Sequence, residues 1–297
     1  MPKVTVIVLT FNSAKFIKPC LESVFTQGGC DFDVIVVDNC STDGTIPLIE
    51  TKFPQAKLIK NPVNLGACKA RNQGITAARA KWILTLDCDI VLEKGFLGKI
   101  MNKVEFSPAF VGMIQPKILN SDGKTIFSCG IFLSKARRFY DIGKGYAADK
   151  ILNVKREVLG ACCAAALYNK EMLDKIKEKT GFFDERFFFL AEDVDLAWRA
   201  HKKGWKTILC LDAVCFHKGN SSGYSRKLRQ YLCFRNRYYA VLKNEGLTGY
   251  LKRVFPVLLY DIPRFFYLIF TNPYVIRLKR IEYAYNRRNR VDSGAIL

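Results

Sequence analysis

Histidine is scarce in this sequence: two in 297 residues. Eleven cysteines are present, but no Cys-X-X-Cys pair occurs, so the chain has no framework for a structural zinc site. The cysteine number is odd, the chain is long, and Cys129, Cys162, Cys163, Cys210 and Cys215 lie in apolar runs. That pattern fits buried free thiols in a reducing cytoplasm better than a disulfide scaffold. Familiar nucleotide loops are missing as well. No G-x-G-x-x-G follows a strand, and "SDGKT" (121–125) is half a phosphate loop with Ile118 where its first glycine would fall. Dehydrogenase and ATPase readings are therefore poor. The start, "MPKVTVIVLTFN", lacks the apolar length and cleavage pattern of a secretion signal and reads as a first strand. There is no internal repeat. Acidic residues are in short supply, 27 against 47 Lys and Arg, giving a net charge of +20. Such a surplus favours anionic partners: phosphates, nucleic acid or acidic lipid.

Apolar residues are plentiful at 49%, enough for a sizeable core. Strand-like runs alternate with helical patterns. "VTVIVLT" (4–10), "DVIVVD" (33–38), "KLIK" (57–60) and "WILTLD" (82–87) are strands. Helices follow the first three, with Asn12 and Ser13 as caps for the first helix and Pro19 expected in its first turn, because proline breaks a helix interior. Near-continuous apolar strands alternating with helices predict an α/β fold with a parallel sheet covered on both faces. Ligands then bind at the carboxyl ends of the strands, where this sequence places Thr10–Asn12, Asp38 and Asp87–Asp89. Beyond residue 105 the alternation is irregular: strands in 111–119, 129–134 and 157–168, a loop over 139–150, and a helix from about 192 followed by a strand.

The motifs on that rim have both functional and structural readings. "LDCD" carries Asp87 and Asp89 at i and i+2, pointing the same way on an extended chain. A divalent cation, Mn²⁺ or Mg²⁺, relieves their repulsion and can grip a diphosphate; the plain alternative is a turn with a helix cap. "DCDIV" also fits the nucleophile motif of haloacid-dehalogenase-like phosphatases, although that motif lies on a first strand and here three strand–helix units precede it. Asp38 in "VVDNCSTDGT" can accept a hydrogen bond from a uracil or thymine edge, while Ser41, Thr42 and Asp43 serve as caps on either reading. Arg71, near a helix start with Lys69, can clamp a diphosphate, or can belong to a solvated basic face. Glu192, Asp193 and Asp195 open a helix, where acids are favoured by its dipole alone. They follow the aromatic "FFDERFFFL", beside which an aspartate can gain the raised pKa of a general base. His217 stands just after a strand, in "CFHKGNSSG" (215–223).

These pieces, in this order, resemble family 2 glycosyltransferases, inverting nucleotide-sugar enzymes with a Rossmann-like GT-A fold. The resemblance runs from Val4 to Gly223 and rests on "VTVIVLTFN", "VVDNCSTDGT", "NLGACKARNQGI", "LTLDCD", "FFLAEDVDLAWRAHKKGW" and "FHKGNSS". The wording is most similar to rhamnosyltransferase-type members. It implies a GT-A domain over 1–224, with a nucleotide-binding half (1–105) and an acceptor half (106–224). By this resemblance Thr10, Phe11, Asn12 and Asp38 hold the base and ribose of a UDP- or dTDP-sugar, and Arg71 faces the diphosphate. Asp87 binds ribose or sugar, and Asp89 with His217 holds the metal. Asp193 is the catalytic base, Glu192 and Trp198 lie near a glycan or lipid-linked acceptor, and Ser222 sits in a segment closing over the donor. The QxxRW of processive members is absent, as "DLAWRA" shows, which implies addition of a single sugar.

The remainder, 225–297, reads as a basic, aromatic region. From Lys218 onward there are 16 Lys and Arg against 4 Asp and Glu. "SRKLRQYLCFRNRYYAVLKNEG" (225–246) is a basic helix, and 254–276 is long enough to cross a bilayer, which needs about 20 residues. Asp261, Arg264 and three prolines interrupt it, so an interfacial or re-entrant segment at the cytoplasmic membrane face is expected, held by anionic lipid, with no nucleic-acid partner. A non-enzymatic lipid- or nucleic-acid-binding protein is the other class this composition admits.

Overall fold

The computed structural model describes residues 2–150, 158–219 and 224–272, apart from the side chains of residues 256 and 257. The first half follows the expected alternation: β1 (Val4–Thr10), α1 (Ala14–Phe25), β2 (Phe32–Asp38), α2 (Thr45–Lys52), β3 (Lys57–Lys60), α3 (Ala67–Ala77) and β4 (Trp82–Asp87). Then come β5 (Ile90–Leu92), α4 (Phe96–Glu105), β6 (Val111–Asn120), β7 (Ile126–Ser128), β8 (Ile131–Leu133) and β9 (Phe139–Asp141). The chain continues through β10 (Ala165–Asn169), α5 (Lys170–Ile176), α6 (Glu192–Lys202), β11 (Lys206–His217), α7 (Arg226–Leu251) and α8 (Val254–Thr271). The main sheet has the order β3-β2-β1-β4-β10-β6-β11-β5, with β7 on the edge of β6. Strands β1 to β4 and the β6–β11 pair are parallel, whereas β10 enters antiparallel between β4 and β6. The sheet is thus mixed and mostly parallel.

Both faces are covered, which is why the strands read as unbroken apolar runs. Val4, Val6, Val8, Leu84 and Leu86 pack with α1 and α4 on one side. Ile7, Ile35, Val37 and Ile83 pack with α3, α5 and α6 on the other. This is the period-two division of a strand between two helical layers.

Four local expectations need correction. Pro19 lies inside α1, beyond its first turn. The burial of Ile17, Cys20, Leu21 and Val24 holds that helix although proline donates no ladder bond. The strand expected over 157–168 starts only at Ala165. Its small residues serve close approach instead: a Cβ at Gly160 would sit 2.3 Å from the Ala197 Cβ on α6. The expected loop at 139–150 contains β9, paired with β8, and the strand expected over 129–134 is cut back to β8, with Gly130 at φ 102° ahead of it.

The basic C-terminal region forms a pair of helices. Helix α7 packs on α6, and Gly246, at φ 70°, breaks its helical geometry near the far end. Asp261, the acid that interrupts the apolar run of α8, turns inward and pairs with Arg237 of α7 at 2.6 Å. The outward face of α8 is apolar, with Phe255, Leu259 and Phe270 each at least 75% exposed. Among the described residues no helix is long and apolar enough to cross a membrane.

Candidate active site

Parallel register explains how residues far apart in the chain meet. Thr10 is level with Asp38, and Leu9 with Asp87, so β1, β2 and β4 end at one rim. Strand β11 runs parallel to β6 and pairs antiparallel with β5, setting His217 opposite Ile90. The imidazole Nε2 thereby comes within 3.3 Å of an Asp89 carboxylate oxygen. One potential ligand atom from each of Asp87, Asp89 and His217 lies within 4.8 Å of the other two. Burial alone would lower the His217 pKa, but the hydrogen bond and charge of Asp89, with Asp87 behind it, raise it. Two carboxylates and an imidazole nitrogen are a donor set suited to Mn²⁺ or Mg²⁺.

Two hollows open from this rim. The smaller, about 80 Å³, is lined by Thr10, Phe11, Asn39, Arg71, Asp87 and Tyr224 among others. The larger, about 590 Å³, is lined by Asp87, Asp89, His217, Glu192, Asp193 and Arg229 among others. Arg71 and Asp87 border both. Arg71 is buried on α3 with both terminal nitrogens engaged: one donates to Asp87 Oδ1 at 2.6 Å, the other to Glu192 Oε1 at 2.7 Å. Breaking a buried pair of this kind strands a charge, so Arg71 ties the donor rim to α6.

Asp193 faces the large cavity from the first turn of α6. Its Oδ2 accepts from the Cys163 amide at 3.2 Å and its Oδ1 from the Val194 amide at 2.9 Å. Burial, followed by the neighbouring Glu192 charge, pushes its pKa up to about 7, with the Cys163 N–H opposing. A carboxyl group poised near neutrality can take a proton from an alcohol at working pH.

Other expected residues lie nearby in supporting positions. Asp38 is buried and does not line either hollow; it accepts from the Ser41 amide at 2.8 Å and the Ser41 hydroxyl at 2.5 Å. Burial raises its pKa against those donors. Asn12, at φ 47°, donates its amide to Ser41 Oγ and accepts from the Thr42 amide. Together they fix the loop after β2. Trp198 is buried behind the cavity wall under the Arg137 guanidinium, 5.4 Å from its ring. Ser222 lies outside the described residues. Sequence reading missed Arg229, which it took for a lipid-facing cation. Unlike Arg71, paired with Asp87 and Glu192, and Lys144, paired with Asp141, Arg229 has no anionic partner among the described residues. It also missed Asn236 and Lys243 of α7, for which an Asn or Lys within a basic helix gives no signal.

The model of "Glycosyl transferase family 2" matches residues 5–177. Succinoglycan biosynthesis protein ExoO of Rhizobium meliloti (strain 1021) is 34% identical over 127 residues, 42% of this chain and 36% of that protein. The N-acetylglucosaminyl-diphospho-decaprenol L-rhamnosyltransferase of Mycobacterium tuberculosis (strain ATCC 25618 / H37Rv) is 24% identical over 241 residues, 73% of this chain and 77% of that one. The crystal structure of S. aureus TarS 1–349 in complex with UDP overlays with a TM-score of 0.57 at 20% identity, covering 82% of this chain and 66% of that one. Its fold is the GT-A fold.

Proposed function

Since this chain belongs to glycosyl transferase family 2, we propose that it transfers a single sugar from a UDP- or dTDP-sugar to a hydroxyl of a glycan or lipid-linked acceptor, with inversion, in cell-surface polysaccharide synthesis. One observation carries the reading: Asp193, with a pKa near 7, lines the same cavity as the Asp87–Asp89–His217 cluster. The base and ribose enter the smaller hollow beside Thr10 and Phe11, and the sugar lies in the larger. Asp193 takes the proton from the acceptor hydroxyl. The freed oxygen attacks the anomeric carbon from the face opposite the nucleotide, the bond to the diphosphate oxygen breaks, and UDP or dTDP leaves. Asp89 and His217, with Asp87 beside them, would hold Mn²⁺ or Mg²⁺, which supplies Lewis-acid stabilisation of the departing diphosphate. Arg229, a lining cation without an anionic partner among the described residues, is offered to the same phosphates, a role that Arg71, already shared by two carboxylates, fills less directly. The family assignment displaces the phosphatase alternative. Support for a sugar-nucleotide donor comes from TarS, solved with UDP, and for a lipid-diphosphate acceptor from the name of the mycobacterial relative.

The outward face of α8 supports a second part of the reading: the enzyme works while lying on an anionic membrane, at its cytoplasmic face. Exposed apolar patches of this extent mark interaction surfaces. The surplus of Lys and Arg from Lys218 onward is complementary to acidic headgroups.

The decisive experiment is a thermal-shift and turnover panel of UDP- and dTDP-sugars with Mn²⁺ or Mg²⁺. Binding to the native state raises Tm, and at least one donor should raise it and release UDP or dTDP, with EDTA suppressing both. No shift with any nucleotide sugar would sink the reading. Co-sedimentation with phosphatidylglycerol vesicles should be lost on changing Phe255, Leu259 and Phe270 together to Ser. Sedimentation unchanged by that triple substitution would remove α8 from the membrane.

A further inference from the structure

The turn that delivers the catalytic pair is held against its own preference. Phe188, Leu190 and Ala191 have φ of 65°, 71° and 66°, three left-handed L-residues among the four that precede Glu192. Side chains with a Cβ rarely adopt that geometry, and it persists only where the surroundings over-determine it. Here the surroundings are specific. The carbonyl of Phe188 accepts from the Ala67 amide at the start of α3, 2.9 Å away. The Phe188 ring passes over Gly66, where a Cβ would lie 2.5 Å from a ring carbon. Two further carbonyls of the turn, those of Phe189 and Leu190, and that of Phe187 just before it face one side chain on α7, with Arg235 also donating to Phe187 O. The Asn236 amide nitrogen lies 3.2 Å from Phe187 O, 2.8 Å from Phe189 O and 2.7 Å from Leu190 O. Asn236 is fully buried. Further along α7, Lys243 Nζ donates to Asp195 Oδ2 and Asp184 Oδ2, each at 2.8 Å, and Asn244 Nδ2 donates to Asp195 Oδ1 at 2.8 Å. Helix α7 therefore grips both the turn and the first helical turn of α6.

We propose that Asn236 is a positioning residue for the Glu192–Asp193 pair, acting through the strained turn 188–191. This rests on the transferase reading for its effect on turnover, though not for the clamp itself. The turn residues Phe189, Leu190 and Ala191 line the larger cavity, and Asp193 follows Ala191 by two residues. A small relaxation there re-aims the carboxylate while β1, β2 and β4 stay in place, and of the turn Phe189 also borders the smaller hollow where the nucleotide is expected. Misplacement by about 1 Å can cost on the order of a hundredfold in rate.

The test is Asn236→Leu in the whole 297-residue chain, similar in volume and lacking the donor. Turnover should fall at least about tenfold while the donor KM stays within about twofold, a split that general destabilisation does not produce. The acid limb of the pH–rate profile, set by Asp193, should move. Hydrogen exchange of the peptide spanning 187–195 should quicken about tenfold, with peptides from β1 to β4 unchanged. If the single variant folds poorly, Ala191→Gly is added, since glycine takes a φ of 66° freely. The double variant should recover exchange protection and turnover to within about threefold of the wild type. Unchanged protection and kcat in Asn236→Leu, or no recovery on adding Ala191→Gly, would overturn the proposal. A wild type inactive on every UDP- and dTDP-sugar would remove the transferase reading, and the exchange measurement would still decide the clamp.

Discussion

Asp193 and Asp195 leave the same turn of α6 two residues apart and meet opposite company. Asp193 looks into the cavity, next to Glu192, and accepts from the Cys163 and Val194 backbone amides. Asp195 looks away, fully buried, into a cluster with Arg199, Lys243 and Asn244. Asp184 joins that cluster: burial would raise its pKa, but hydrogen bonds from Arg186 and Lys243 hold it well below the ordinary carboxylate range. One face of the helix leaves a carboxylate short of positive charge, and the other supplies cations in abundance. The first arrangement gives a base near neutrality; the second gives an anchor. A helix start rich in acids is easily explained by its dipole, and only the packing on each side separates the two roles.

The comparison can be broken in several ways. The largest effect belongs to Asp193→Asn, which should lower transfer by about a thousandfold or more while nucleotide-sugar affinity, read by calorimetry, stays close to wild type. Near-normal turnover would end its role as base. Lys243→Met should remove about 3 kcal/mol of stability, because it leaves Asp184 and Asp195 buried with less compensation; an unchanged denaturant midpoint would show that the anchor contributes nothing. Asp89→Ala should weaken Mn²⁺-dependent donor binding by about tenfold and leave metal-free binding alone; activity indifferent to EDTA would remove the metal. Arg229→Ala should raise the donor KM by a few-fold, about 1 kcal/mol, more at low salt than at high.

The smallest signal is a pH dependence with opposite signs. The raised pKa of Asp193 means that its contribution to stability is full below the unfolded value, about 4, and is lost as pH rises through about 7. Asp193→Asn should therefore gain Tm relative to wild type between pH 5 and 8. Asp184 has a depressed pKa, so its contribution is present above about pH 4 and is lost on acidification. Asp184→Asn should cost Tm at pH 7 and progressively less toward pH 3. Parallel pH trends in the two variants would contradict the contrast drawn here.

The first half was open to reading because its signals are local. Apolar strands of four to seven residues, the first three each followed by a helix, announce β1 to β4, and parallel register then forces Thr10, Asp38 and Asp87 to one edge. The Asp89–His217 meeting was anticipated only through resemblance, since the two lie 128 residues apart and join through β5 and β11. The second half was harder. Small residues at 160–166 satisfy both a strand pattern and a tight crossing over α6, and composition cannot choose between them. Arg71 was placed at the site, but its double pairing with Asp87 and Glu192 depends on α6 arriving from far along the chain. The cations of α7 were taken together as a lipid-facing surplus, whereas Arg237 and Lys243 turn inward to Asp261, Asp184 and Asp195.

Anyone trimming this chain to improve its handling will want to discard the greasy helix α8, and the choice of end point matters. Stopping ahead of Ser225 throws away Asn236 and Lys243 together with the unwanted surface. Stopping just past Gly246, where α7 already departs from helical geometry, retains both and sacrifices the partner of Arg237, which still donates to the Ala136 and Arg137 carbonyls. The shorter truncate should then be a sluggish catalyst and the longer one a competent catalyst indifferent to vesicles.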